Sequence, residues 1–136
     1  MKLNQLTNLG MHLNSIVLKD RDPNLLSLSF RANEMQEEAG ELGGVVKKIE
    51  RLRLGIPGSK PEHQSMEVLR KKANEEFGDL LLTIGLLADA MEINLEYALK
   101  FKVEELLDRY ENLGMLEGSL YATRGIREIT SNSIFR

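Results

Sequence analysis

The chain has no cysteine, no tryptophan, only three prolines and a single-digit share of aromatic residues, and each scarcity narrows what it can be. Without cysteine there are no disulfide staples, no thiolate nucleophile and no zinc–thiolate site, which suits a reducing cytoplasm. Positive charge is not in excess either. The net charge of −3 and pI near 5.5 leave no electrostatic footprint for nucleic acid, so a polyanionic substrate needs a metal and a few local cations to hold it. The longest apolar stretch, Leu80 to Met91, is interrupted by Thr83, Gly85 and Asp89 and is too short for a membrane span. Residues 1–13 mix Asn, Gln, Thr and His among apolar residues and carry no signal-peptide core. The expectation is a cytoplasmic protein with no membrane partner.

What is present is helical periodicity. At 136 residues the chain is expected to form one domain over 1–114, followed by a tail or oligomerisation arm over 115–136. Leu3, Leu6, Leu9, Leu13, Ile16 and Val17 recur at helical spacing and predict a first helix ending near Asp20. Asp22 as N-cap and Pro23 at the first helical position predict a second, running to about Leu54. Gly55-Ile56-Pro57-Gly58-Ser59-Lys60-Pro61 breaks it, and a third helix is predicted from near Pro61 to Met91. Asn94 caps a fourth, with Leu95, Ala98, Leu99, Val103, Leu106, Leu107 and Tyr110 facing inward and Gly114 as its stop. The fold class is therefore all-α, a four-helix-bundle-like arrangement. Leucine-rich stripes on two faces, such as Leu80, Leu81, Leu82, Ile84, Leu86 and Leu87, exceed what one small bundle covers and predict a homodimer or homotetramer.

The hexapeptide E-E-x-G-[DE]-L occurs twice, as Glu37-Glu38-Ala39-Gly40-Glu41-Leu42 and as Glu75-Glu76-Phe77-Gly78-Asp79-Leu80. In each copy two carboxylates stand three residues apart on one helix face, Glu38 with Glu41 and Glu76 with Asp79. Crowded like charges cost a few tenths of a kcal/mol per pair, and a mid-helix glycine costs roughly 1 kcal/mol against alanine. A sequence carrying both penalties twice implies a compensating cation. Hard oxygen ligands without a nearby histidine or cysteine point to Mg²⁺ or Mn²⁺. A di-iron bundle would want E-x-x-H pairs, and neither His12 nor His63 stands three residues after a glutamate. The apolar stripes predicted for the two helices are Met35, Ala39, Leu42, Val46, Ile49 and Ala73, Phe77, Leu80, Ile84, Leu87. Glu38 lies roughly 50° and Glu76 roughly 70° from their centres, at the core edge, with Glu37 and Glu75 pointing out to solvent.

These residues resemble the MazG-like superfamily of all-α nucleoside triphosphate pyrophosphohydrolases, which includes dimeric dUTPases, dCTP pyrophosphatases and phosphoribosyl-ATP pyrophosphohydrolase. E-x-x-E followed by E-x-x-D on the next helix carries the likeness. Met91-Glu92-Ile93-Asn94-Leu95-Glu96-Tyr97-Ala98-Leu99 is similar to the segment that caps the following helix. The resemblance covers about residues 25–111. It departs in a longer connector between Glu41 and Glu76, and in Leu106 where many relatives carry Asn. It implies Mg²⁺-dependent cleavage of a (d)NTP between the α and β phosphates, giving (d)NMP and pyrophosphate in nucleotide-pool house-cleaning. Glu38, Glu41, Glu76 and Asp79 are the implied metal ligands, Glu38 the general base, and Lys102 and Arg109 the phosphate clamp. Lys47 and Lys48 are alternative candidates to touch phosphate, with solvated surface lysines the safer reading. For the base, Phe30 is a candidate for stacking and Asn33 and Gln36 for hydrogen bonding. Two alternatives stay open: phosphoribosyl-ATP pyrophosphohydrolase, and a non-catalytic helical oligomerisation module.

Overall fold

In the computed structural model the described residues are 27–56 and 58–112, together with Gln5, Asn8, Leu9, Met11 and His12. Ser27 opens the first long helix, α1, over Leu28–Arg53. Its backbone is extended and its hydroxyl accepts from the Phe30 N–H at 3.2 Å, satisfying one of the donors that a helix start leaves orphaned. The helix thus begins later than the Asp22–Pro23 signal predicts; those two residues lie outside the described ones. Arg51 and Arg53 in its last turn complement the negative end of the helix dipole.

The exit from α1 is a Schellman motif. Gly55 takes φ +72°, the Gly55 N–H donates to the Leu52 carbonyl at 3.1 Å, and the Ile56 N–H donates to the Arg51 carbonyl at 2.9 Å. A 3₁₀ turn, Pro61–Gln64, follows and packs on both neighbouring long helices. The second long helix, α2, runs over Met66–Ala90. Its start is displaced from the predicted Pro61 because Ser65, extended at φ −112° and ψ 120°, interrupts the chain and caps it, accepting from the Val68 N–H at 3.3 Å. A second Schellman motif closes α2: Glu92 N–H to Asp89 carbonyl at 2.9 Å, Ile93 N–H to Ala88 carbonyl at 2.8 Å. Here the left-handed position, φ 56°, is occupied by Glu92. The third helix, α3, spans Leu95–Asn112 and is capped as predicted, Asn94 Oδ1 accepting from the Tyr97 N–H at 2.9 Å.

Among the described residues the architecture is all-helical, with no strand. The α1 and α2 helices form an antiparallel hairpin. The start of α1 meets the end of α2, where the buried Arg31 donates to the Leu86 carbonyl at 3.4 Å. At the far end Val45 and Leu69 are each 1% exposed and form its tightest packing. Most of the predicted stripe residues are half-buried, Met35, Leu42 and Ile49 on α1 and Ala73, Leu80, Ile84 and Leu87 on α2, and the fully buried positions lie beside them. On α1 the buried positions are Arg31 and Val45, while Ala39 and Val46 are exposed. On α2 they are Leu69, Glu76, Gly85 and Ala88, while Phe77 is exposed. On α3 Leu107 is buried as predicted, but Ala98, Leu99 and Tyr110 are exposed. Gln5, Asn8, Leu9, Met11 and His12 are helical and exposed, in line with the predicted first helix, whose other residues lie outside the described ones. Gly114 and the 115–136 tail lie outside them as well. No helix among the described residues is long and apolar enough to cross a membrane.

The two Schellman exits differ by one side chain, and that difference is measurable. A non-glycine residue in the left-handed region carries a penalty of about 1 kcal/mol. Glu92→Gly is therefore expected to raise unfolding free energy by about that amount, and Gly55→Ala to lower it by about as much, both read from urea midpoints at unchanged slope.

Candidate metal centre

The seam between α1 and α2 brings acids together. With the α1 stripe centred on Arg31, Leu42 and Val45, Glu38 sits on the seam half-buried, and across from it Glu76 occupies the α2 stripe itself at 5% exposure. Asp79, one turn further along α2, is exposed. One carboxylate oxygen from each of Glu38, Glu76 and Asp79 lies within 4.8 Å of the others. That is a little over twice a ~2.1 Å Mg²⁺–oxygen contact, so small side-chain rotations close the cage. Three oxygen donors without nitrogen or sulfur suit a hard divalent cation.

Glu41, the fourth predicted ligand, is exposed and stands outside this trio, although its charge acts on Glu38. Glu37 and Glu75 point to solvent as expected. Gly40 and Gly78, between the acids, do not admit another helix of this chain: a Cβ at either meets nothing within 4 Å. Their effect is open space beside the carboxylates.

Electrostatics follow from this crowding. The Glu38 carboxyl is pushed above its ordinary 4.5, first by desolvation and then by the charges of Asp79, Glu41, Glu76 and Glu37. Glu76 is answered by Lys72, whose Nζ lies 3.2 Å from Glu76 Oε1, one helical turn earlier on α2. The bond to Glu76 raises the Lys72 pKa above 10.5. The sequence reading missed Lys72: a lysine four residues before a glutamate is ordinary on a helix surface and gains weight only once Glu76 is buried.

The predicted substrate residues are more scattered. Lys102 and Arg109 share a face of α3, as their spacing requires, but they converge on Glu105, with Lys102 Nζ at 3.0 and 2.9 Å from its two oxygens and Arg109 Nη2 at 2.8 Å. Asn33 and Gln36 are exposed on α1, and Phe30 is half-buried. Lys47 is exposed and Lys48 half-buried, and both line an open cleft with Arg51 and His63.

With this geometry in hand, the chain was compared with known proteins. It is 32% identical over 83 residues to the uncharacterized protein YvdC of Bacillus subtilis (strain 168), covering 61% of this chain and 76% of that protein. The chain belongs to the YvdC family. No family model matches it, and no solved structure does.

The strain in the trio of this YvdC relative has a stability consequence with a definite sign. Because the folded-state pKa of Glu38 is raised, ionising it opposes folding, fully so at neutral pH, and the penalty disappears as pH falls through that raised value towards 4.5. Metal-free Glu38→Gln should thus unfold at a higher temperature than the parent at pH 7, and the gap should close at acid pH. Lys72 works in the opposite direction. Its stabilisation is complete below 10.5 and is lost only as pH rises through its raised value, so Lys72→Met should lower the metal-free melting temperature at pH 7. Saturating Mg²⁺ should shrink that loss, since a bound cation supplies the charge Lys72 gave.

Proposed function

We propose that this protein is a Mg²⁺-dependent nucleoside triphosphate pyrophosphohydrolase of the MazG-like type, cleaving a (d)NTP to (d)NMP and pyrophosphate. The observation that carries the reading is the convergence of Glu38, Glu76 and Asp79 within 4.8 Å at the α1–α2 seam, with Glu76 buried. Lys72 pairs with Glu76, the buried member, and the mutual repulsion that raises Glu38 stays only partly answered. Mg²⁺, or Mn²⁺ in its place, supplies neutralisation of phosphate charge and Lewis acidity when bound. Glu38, Glu76 and Asp79 would hold it, with exposed Glu41 one turn away able to swing in. Glu38 takes the proton from the water that attacks the α-phosphorus, a role its raised pKa favours. Pyrophosphate departs, and the monophosphate remains. Gly40 and Gly78 keep the space in front of the acids clear for the triphosphate. Lys102 and Arg109 clamp phosphate by exchanging their exposed pairing with Glu105 for the substrate, an exchange with little penalty because surface ion pairs are worth little. A nucleotide-pool house-cleaning role in the cytoplasm accords with this chemistry.

The same reading includes assembly. Phe77 and Leu81 are 53% and 45% exposed beside the acids, and Tyr97, Leu99 and Phe101 are exposed on α3. Apolar surface of this extent beside a polar site supports a homodimer or homotetramer that completes a four-helix core.

The decisive assay is product analysis across the standard NTPs and dNTPs, with phosphoribosyl-ATP alongside, with and without Mg²⁺. Pyrophosphate and monophosphate should form only with the metal; orthophosphate plus a diphosphate as first products would refute the reading. Glu76→Gln and Asp79→Asn should each cut kcat by at least 10²-fold, the scale on which loss of one charge-stabilising group acts. Glu37→Gln should retain most activity. Light scattering at low micromolar concentration should give a mass at least twice the 15.4 kDa of the single chain.

A further inference from the structure

A second site of opposite charge lies towards the other end of α1. Gly44, Lys47, Lys48 and Arg51 fall on one helix face at spacings of three and four residues, and they line a cleft of about 600 Å³ with Gly58 and His63 of the following loop. That volume is within the range of small-molecule sites. Lys47 with Arg51 and Lys48 with Arg51 are like-charge neighbours that destabilise a bare helix. Among the described residues none of these three cations has an ion-pair partner; Glu50, the nearest acid in sequence, pairs with Arg53 instead, at 3.9 Å. A concentrated positive cleft in a chain of net charge −3 is a local inversion of the protein's own field.

The walls are shaped for occupancy. A Cβ at Gly44 would meet nothing within 4 Å, so packing within the chain does not require glycine there, and its helix penalty of roughly 1 kcal/mol leaves an open floor between the cations. On the opposite wall, a Cβ at Gly58 would collide with the His63 side chain, so glycine is what lets loop and imidazole close together. The C-terminal end of a helix ordinarily repels anions. Here the carbonyls of Glu50, Arg51 and Leu52 are occupied by the N–H groups of Leu54, Ile56 and Gly55, which blunts that repulsion.

We propose that this cleft binds the polyphosphate group of a small molecule, with Arg51 as a bidentate fork and Lys47 and Lys48 as point charges. Some 15 Å of helix rise separates Lys48 from Glu38, so this is a centre distinct from the acidic trio and needs no metal. It stands whether or not the trio is catalytic.

The test is calorimetric titration of the metal-free full chain with tripolyphosphate, in chelator and at roughly physiological ionic strength, about 0.15 M. Saturable binding of one tripolyphosphate per chain is expected, weakened at least tenfold in the double variant Lys48→Gln/Arg51→Gln. Gly44→Leu should weaken it equally while keeping every charge and the helical circular dichroism, because it fills the floor from a Cβ that meets nothing within 4 Å. Glu76→Gln should bind as the parent does. A parallel titration with nucleoside triphosphates separates the sources: tighter binding than tripolyphosphate assigns a nucleotide ligand, equal binding assigns the phosphates alone. Absence of saturation, equal affinity in all variants, or loss of binding in Glu76→Gln would overturn the proposal.

Discussion

Glu38, Glu76 and Asp79 meet across two antiparallel helices, and whatever holds α1 to α2 must work against the repulsion among them. The restraint comes from both ends of the hairpin. At one end Val45 and Leu69 are fully buried, each contributing about 1.5–3 kcal/mol of apolar transfer. At the other, buried Arg31 reaches from the first turns of α1 to the Leu86 carbonyl near the end of α2. The acids lie between these anchors, where neither helix can splay to relieve them. A site held on rigid elements from both sides suits the cation proposed for it, and the Lys72–Glu76 pair already supplies partial neutralisation.

How much of this was legible in the sequence depends on which force decided each feature. Helix existence followed from periodicity and turn chemistry, and the Asn94 cap was readable because no rival capping residue competed with it. The two other starts were misplaced for one reason: Asp22–Pro23 and Pro61 are strong local signals, yet Ser27 and Ser65 hold the extended backbone and take the caps. Local propensity does not decide between two adequate caps; packing of the following face does. Three stripe positions were misjudged because hydrophobicity ranked Ala39, Val46 and Phe77 as interior and had no means of ranking Arg31 and Glu76 there.

The acidic centre was legible because its spacing repeats, and the basic cleft was not, because half of it comes from a loop. Lys47, Lys48 and Arg51 alone look like a solvated face. Gly58 and His63 are brought against them only through the Schellman turn at Gly55 and the 3₁₀ turn that follows. The connector between α1 and α2 is thus the piece that builds the second wall. Glu41 marks the opposite limit, since its spacing from Glu38 is that of Asp79 from Glu76, but on α1 that position turns outward.

One helix therefore carries a negative centre at its middle and a positive one near its end, separated by some 15 Å of rise. Through solvent at physiological ionic strength the Debye length is about 8 Å, so exposed charges at that separation are largely screened from each other. Lys47 and Arg51 are exposed, and both stand more than two helical turns along α1 from Glu38. The cations are placed too far away to relieve the acids. Had relief of repulsion been their role, they would stand where Lys72 stands, within one turn of a carboxylate. Their position fits the ligand proposed for them, while Lys72, bonded to Glu76, is a cation that does stand at the seam.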